Sequence, residues 1–118
     1  MSDISSYKDL IAYQKAYSLC LDIYKETRTL PKEELYGLTM QMRRAAVSVP
    51  SNIAEGYRRT RKEYVHFLRI ALGSLFELET QVSLSKDLGL LNPETSSSLI
   101  SDAESTSQVL YKLIKSLE

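Results

Sequence analysis

Glu63-Tyr64-Val65-His66 is the first stretch to test for chemistry. A Glu-x-x-His pair places a carboxylate and an imidazole on one helix face, the arrangement di-metal bundles use to hold iron or manganese. Such a site needs that pair twice, with further glutamates. Here it occurs once, and His66 is the sole histidine. Cys20 is the sole cysteine, so neither an intramolecular disulfide nor a Cys/His zinc set can form. We expect it to act as a small core hydrophobe. One histidine without a nucleophile motif around it gives no acyl-transfer machinery, and there is no glycine-rich phosphate loop. The expectation is a protein that is not an enzyme, with no catalytic residues, no metal and no cofactor.

Two other constellations carry more information. Arg44, Ser48, Asn52 and Glu55 recur at helical spacing, and Ser74 and Glu77 fall beside an apolar seam further on. Buried polar groups are costly unless paired. We therefore expect one buried polar network, with Arg44 on Glu77 and Asn52 on Ser74 or Glu55. It would either fix the register of two helices or line a small-molecule cleft. The second constellation is the basic turn Arg58-Arg59-Thr60-Arg61-Lys62, with Arg43, Arg44 and Arg69 on the adjoining helices. Tyr57 and Tyr64 flank it and are candidates to stack on bases. Arg61 and Lys62 would sit at a helix N-terminus, where the dipole disfavours cations. A nucleic-acid surface at Arg43, Arg58, Arg59, Arg61, Lys62 and Arg69 is one functional expectation. The alternative is a protein-partner adaptor without nucleic-acid binding, using a serine-rich helix face.

The elements that must position these groups are four helical segments. Residues 7–28 carry Leu10, Tyr13, Ala16, Tyr17, Cys20, Ile23 and Tyr24 at spacings of three and four, with Ser5 or Ser6 as cap. Residues 32–57 carry Leu35, Leu38, Met42, Ala45, Val49, Ile53 and Gly56, with a kink expected at Pro50. Residues 61–88 open on the capping box Thr60 to Glu63. They continue as Tyr64, Leu68, Ala71, Leu75, Leu78 and Val82, a heptad rhythm ending at Gly89. Residues 93–117 open on Asn92-Pro93 and repeat the rhythm at Leu99, Ala103, Thr106, Leu110, Leu113 and Leu117. Its outer face holds Ser96, Ser97, Ser98, Ser101, Ser105 and Ser107.

The chain has 118 residues, 43% hydrophobic and 25% charged, which suits one soluble domain over 1–118. With only 4 Gly and 3 Pro, a β-sandwich is excluded. The fold class expected is all-α, an antiparallel up-down-up-down four-helix bundle. Residues 1–4 lack a signal-peptide pattern and no apolar run approaches a membrane span, so a cytoplasmic protein without membrane contact is expected. Net charge is zero, yet residues 41–70 hold seven Lys/Arg against two Asp/Glu, while residues 71–118 hold three against seven. Tyr7, Tyr13, Tyr17, Tyr24 and Tyr36 widen the apolar stripes beyond what one bundle needs, which points to self-association.

Residues 38–56, with Ser48-Val49-Pro50-Ser51-Asn52-Ile53-Ala54-Glu55-Gly56 at their heart, resemble the signature of the 23S rRNA-intervening-sequence protein family. Residues 67–81 and 7–16 continue the resemblance. It implies a four-helix bundle that assembles as a homo-oligomeric ring, typically of five subunits. It also implies kinship with accessory proteins of diversity-generating retroelements, which share the fold and bind nucleic acid and a reverse transcriptase. An RNA or nucleoprotein partner follows from that likeness. This chain departs from those accessory proteins, which are strongly basic.

Overall fold

The computed structural model describes residues 6–118. Ser6 accepts a hydrogen bond from the Lys8 amide at 3.1 Å and caps a 3₁₀ turn at Tyr7–Asp9. Ser5 and residues 1–4 lie outside the described residues. Leu10 is extended (ψ 131°), so the first helix, α1, covers Ile11–Thr27 and starts later than the periodicity suggests. Its core face also differs from the expected stripe. Ala12, Ala16, Leu19, Ile23 and Thr27 are buried, while Tyr17 and Tyr24 stay 51% and 40% exposed. The apolar arc of α1 is wider than its core contact, and the tyrosines occupy the outer half.

The second expected helix is interrupted. Lys32–Glu34 forms a 3₁₀ turn and Leu35–Thr39 a single π turn. Gly37 inside it is non-helical (φ −109°, ψ −116°), and α2 proper is Met40–Gly56. The helix runs on through Pro50 and buries Met42, Ala45, Ala46, Val49, Ile53 and Gly56. Gly56 permits a close approach: a Cβ there would stand 2.7 Å from Cβ of Phe67 on the next helix.

The third helix, α3, is Arg61–Asp87 and follows the sequence closely. Thr60 and Glu63 form the capping box, and every residue of the expected seam is buried. Gly89, at φ +76°, takes the left-handed conformation that ends the helix cheaply only for glycine. The amides of Leu90 and Leu91 then turn back onto the Ser85 carbonyl. The fourth helix, α4, is Pro93–Leu117, capped by the Asn92 side chain on the Thr95 amide at 2.7 Å. Ser96, expected on the outer face, is instead fully buried with its hydroxyl on the Asn92 carbonyl, and the seam then runs as expected through Leu99, Ala103, Thr106 and Leu110. It then passes to Ile114, with Leu113 and Leu117 only partly buried. A straight helix has 3.6 residues per turn, so a strict 3.5 repeat drifts off the core.

The chain is therefore all-α, with four helices and no strand among the described residues. Packing joins α1 to α2, α2 to α3, α3 to α4 and α4 back to α1. One core runs through the bundle, with Ile23, Met42, Ile53, Leu68, Leu75 and Leu110 fully buried. Each such side chain contributes about 1.5–3 kcal/mol by leaving water. Polar contacts also cross between helices: among them, Lys15 Nζ donates to Ser105 Oγ at 2.9 Å, and Arg43 Nε donates to Thr27 Oγ1 at 2.9 Å. No helix is long and apolar enough to cross a membrane.

Candidate functional site

The connection between α2 and α3 is only a few residues long, so it concentrates the charge of residues 58–62 at one end of the bundle. Arg58, Arg59, Arg61 and Lys62 are all exposed there. They are not equivalent. Arg59 Nη2 reaches Glu55 Oε2 at 2.5 Å, and Arg59 Nη1 lies 3.8 Å from Glu63 Oε2. Its guanidinium also stands 5.0 Å from the Phe67 ring centre. The hydrogen bond that Arg59 donates to Glu55 raises the Arg59 pKa, so its charge is firm but locally balanced. Glu63 is held below the usual carboxylate range, mainly by its hydrogen bonds from Thr60. Arg58 lies 5.9 Å from the Tyr57 ring centre. Arg61 and Lys62 make no ion pair among the described residues, and they project from the first turn of α3.

Two of the six expected contact residues stand apart. Arg69 shares the exposed face of α3 with Lys62 and His66, spaced three and four residues apart, about 12 Å beyond Arg61 at 1.5 Å per residue. It forms an ion pair with Glu118. Arg43 is roughly 20 Å along α2 from the turn and belongs to another surface. Its guanidinium stacks 4.8 Å from the Tyr24 ring centre and bonds Thr27. The structure thus brings together Arg58, Arg59, Arg61 and Lys62, places Arg69 on the same flank, and excludes Arg43. Tyr64 is also unavailable for stacking. It is 8% exposed, edge-on to Tyr57 at 6.0 Å, and burial pushes its hydroxyl up to about 12. Glu63 and His66 form no metal pair, since Glu63 caps its own helix and His66 packs edge-on against Phe67. No group of three His, Cys, Asp or Glu suited to a metal occurs among the described residues.

The polar constellation between α2 and α3 forms only at its centre. Ser48 Oγ and Ser74 Oγ share a hydrogen bond at 2.8 Å, and Asn52 Nδ2 donates to Ser48 O at 2.7 Å and to Ser48 Oγ at 2.9 Å. Glu55 has turned away to Arg59. Arg44 and Glu77 are exposed and unpaired, so the expected buried Arg44–Glu77 contact does not form. With Gln41 and Gln81 they line an open cleft of about 440 Å³. A long cation and a carboxylate that both reach water gain more from hydration than from burial together. The centre of the constellation is neutral, with Ser74 buried and Ser48 and Asn52 half-buried.

One apolar opening was not anticipated as a site. It is a groove of about 590 Å³ between α1 and α2, lined by Tyr7, Tyr13, Tyr17, Leu21, Val47 and Pro50, among others. Cys20 lies in it, half-buried, with its thiol pKa raised by burial. A second apolar patch, around Leu72, Phe76 and Tyr111, lies between α3 and α4. Phe76 falls outside the heptad seam, which is the one sequence signal that could have marked it.

Comparison with known proteins adds family and fold. A model of the family described as 23S rRNA-intervening sequence protein matches residues 8–112. A crystal structure from Bacteroides thetaiotaomicron, described as a protein with unknown function from the S23 ribosomal protein family, superposes with a TM-score of 0.83. The two chains share 21% identity, over 89% of this chain and 99% of that one. No curated protein matches the chain.

Proposed function

We propose, for a chain that belongs to the 23S rRNA-intervening sequence protein family, a non-enzymatic role as a cytoplasmic, ring-forming scaffold that binds structured RNA or a nucleoprotein through the α2–α3 turn. One observation carries the reading: Arg61 and Lys62 project into water from the first turn of α3, with no ion pair to a carboxylate among the described residues. Cations at a helix N-terminus work against the dipole. Their placement is explained by a phosphate partner better than by local stability. Arg58 and Arg69 extend the surface to either side.

A gel-shift titration with structured RNA, at two salt concentrations, tests this. Binding should fall steeply with salt, because phosphate contacts release counterions. The triple reversal Arg58→Glu, Arg61→Glu, Lys62→Glu should abolish the shift while leaving the helical circular dichroism intact. Unchanged affinity in that variant would remove the turn from any binding role. Absence of binding even by the wild type at low salt would favour the second reading, a protein-partner adaptor. That reading rests on the exposed, uncharged Ser97, Ser98 and Ser101 of α4.

The finer architecture belongs to the same proposal. An up-down-up-down order is supported by contacts between opposite ends of successive helices: Thr27 with Arg43, Met42 with Ser85, and Arg69 with Glu118. A bend of α2 at Pro50 is supported by the amide hydrogen that proline lacks. Assembly into a ring, of five subunits by family likeness, is supported by the exposed tyrosines of α1.

A further inference from the structure

We propose that the chain assembles head to tail, with the tyrosine groove between α1 and α2 of one subunit receiving the Phe76–Tyr111 ridge between α3 and α4 of the next. This rests on the ring reading above and names the two faces that would build it. The packing order α1, α2, α3, α4 and back to α1 sets these faces on opposite sides of the bundle. They differ in shape. One is a groove with tyrosines on one wall and Val47 and Pro50 on the other. The other presents Phe76 and Tyr111, each 54% exposed. Two unlike apolar faces on opposite sides of one molecule make a heterologous contact, which closes into a ring where the rotation between neighbours allows it and otherwise grows as an open filament.

Gly73 supplies an independent reason to place a neighbour on the ridge. It lies one turn from Phe76, exposed in the middle of α3, and a Cβ added there would meet nothing within 4 Å. Glycine inside a helix costs about 1 kcal/mol relative to alanine. Nothing within the subunit requires it, so the free backbone surface serves a side chain from outside.

Charge complements the apolar match. Glu79 and Glu104 stand close enough to repel one another beside the ridge, Glu79 with a hydrogen bond from Ser107, and neither has an ion-pair partner among the described residues. The groove ends at Arg43, whose guanidinium also has no carboxylate partner among the described residues. Met42 and Ser85 are in contact, so the start of α2 and the end of α3 lie at one end of the molecule. Arg43 and Glu79 are therefore displaced toward the same end from their respective faces. Subunits standing side by side and pointing the same way, as in a cyclic ring, bring the arginine of one to the carboxylates of the next.

Sedimentation equilibrium of the full chain and two variants decides the matter. Tyr17→Glu spoils the groove and Phe76→Arg spoils the ridge, both at exposed positions where circular dichroism should show an intact bundle. The wild type should be oligomeric and each variant alone a 13.4 kDa monomer. The equimolar mixture should contain a species of twice that mass, because the Tyr17→Glu copy keeps its ridge and the Phe76→Arg copy keeps its groove. An oligomeric wild type whose Phe76→Arg variant still assembles overturns this pairing and leaves the ring reading standing. So does a mixture that stays monomeric. A monomeric wild type overturns both.

Discussion

The α2–α3 turn and the α1–α2 face each expose something a folded chain usually hides or balances, and they do so differently. At the turn the excess is charge, and part of it is settled on the spot: Arg59 lies between Glu55 and Glu63, and Arg69 meets Glu118. On the α1–α2 face the excess is apolar, and little of it is settled: Arg43 stacks on Tyr24, but Tyr17, Leu21 and Val47 remain open to water. Water screens a surface charge and hydrates it well, so an unused cation costs little. Apolar area has no such remedy except cover. The difference teaches that the turn can wait for a partner indefinitely, whereas the groove needs one for the subunit to reach its most stable form.

The sharpest way to separate the two arcs of α1 is to truncate a leucine on each. Leu19→Ala, at a buried site, should cost about 2–5 kcal/mol of subunit stability in urea denaturation. Leu21→Ala, two residues on and 59% exposed, should stay within about 0.5 kcal/mol for the isolated subunit. Equal effects would mean that the groove is part of the core. At the turn, Gly56→Ala forces a methyl against Phe67 Cβ and should cost about 1–3 kcal/mol, read as a drop in melting temperature. A neutral result would show that the turn yields easily and does not hold its cations in fixed places.

The smallest effect concerns pH. Glu63 is depressed in the folded chain, chiefly by Thr60, so its ionised form adds stability above the usual carboxylate range. That contribution disappears as pH falls through the lowered folded value. Glu63→Gln should therefore melt slightly below the wild type at neutral pH and together with it in strong acid. A difference that persists unchanged into acid would assign the role of Glu63 to shape alone.

Much of the fold was legible in the sequence, and each failure has its own physical cause. The α3 seam was read residue for residue because its heptad spacing is unbroken, even though Ile70, Phe76 and Leu84 stand exposed outside it. In α1 the apolar arc spans both the core face and the groove, so periodicity centred on Tyr13 and Cys20 and passed over Ala12 and Leu19. Spacing reports which residues are apolar together, and only packing decides which part of a wide arc faces inward. The start of α2 was misplaced because a single glycine, Gly37, breaks a pattern that otherwise continues. At the candidate site the turn was visible as a run of like charges. Pairing choices such as Glu55 with Arg59 rather than Asn52 depend on side-chain reach and hydration, which spacing does not encode. The Phe76–Tyr111 ridge stayed hidden because its parts lie on two helices.

The bond from Lys15 to Ser105 joins residues 90 positions apart, and it has a consequence for how the molecule is made. Helix α1 leaves the ribosome long before α4, and the pairing of α2 with α3 requires only local closure. During that interval both arcs of α1 are bare, the one destined for α4 as well as the groove. The nascent subunit is thus at its stickiest just before completion. The order of synthesis, more than the finished shape, sets the moment when a wrong association is most dangerous.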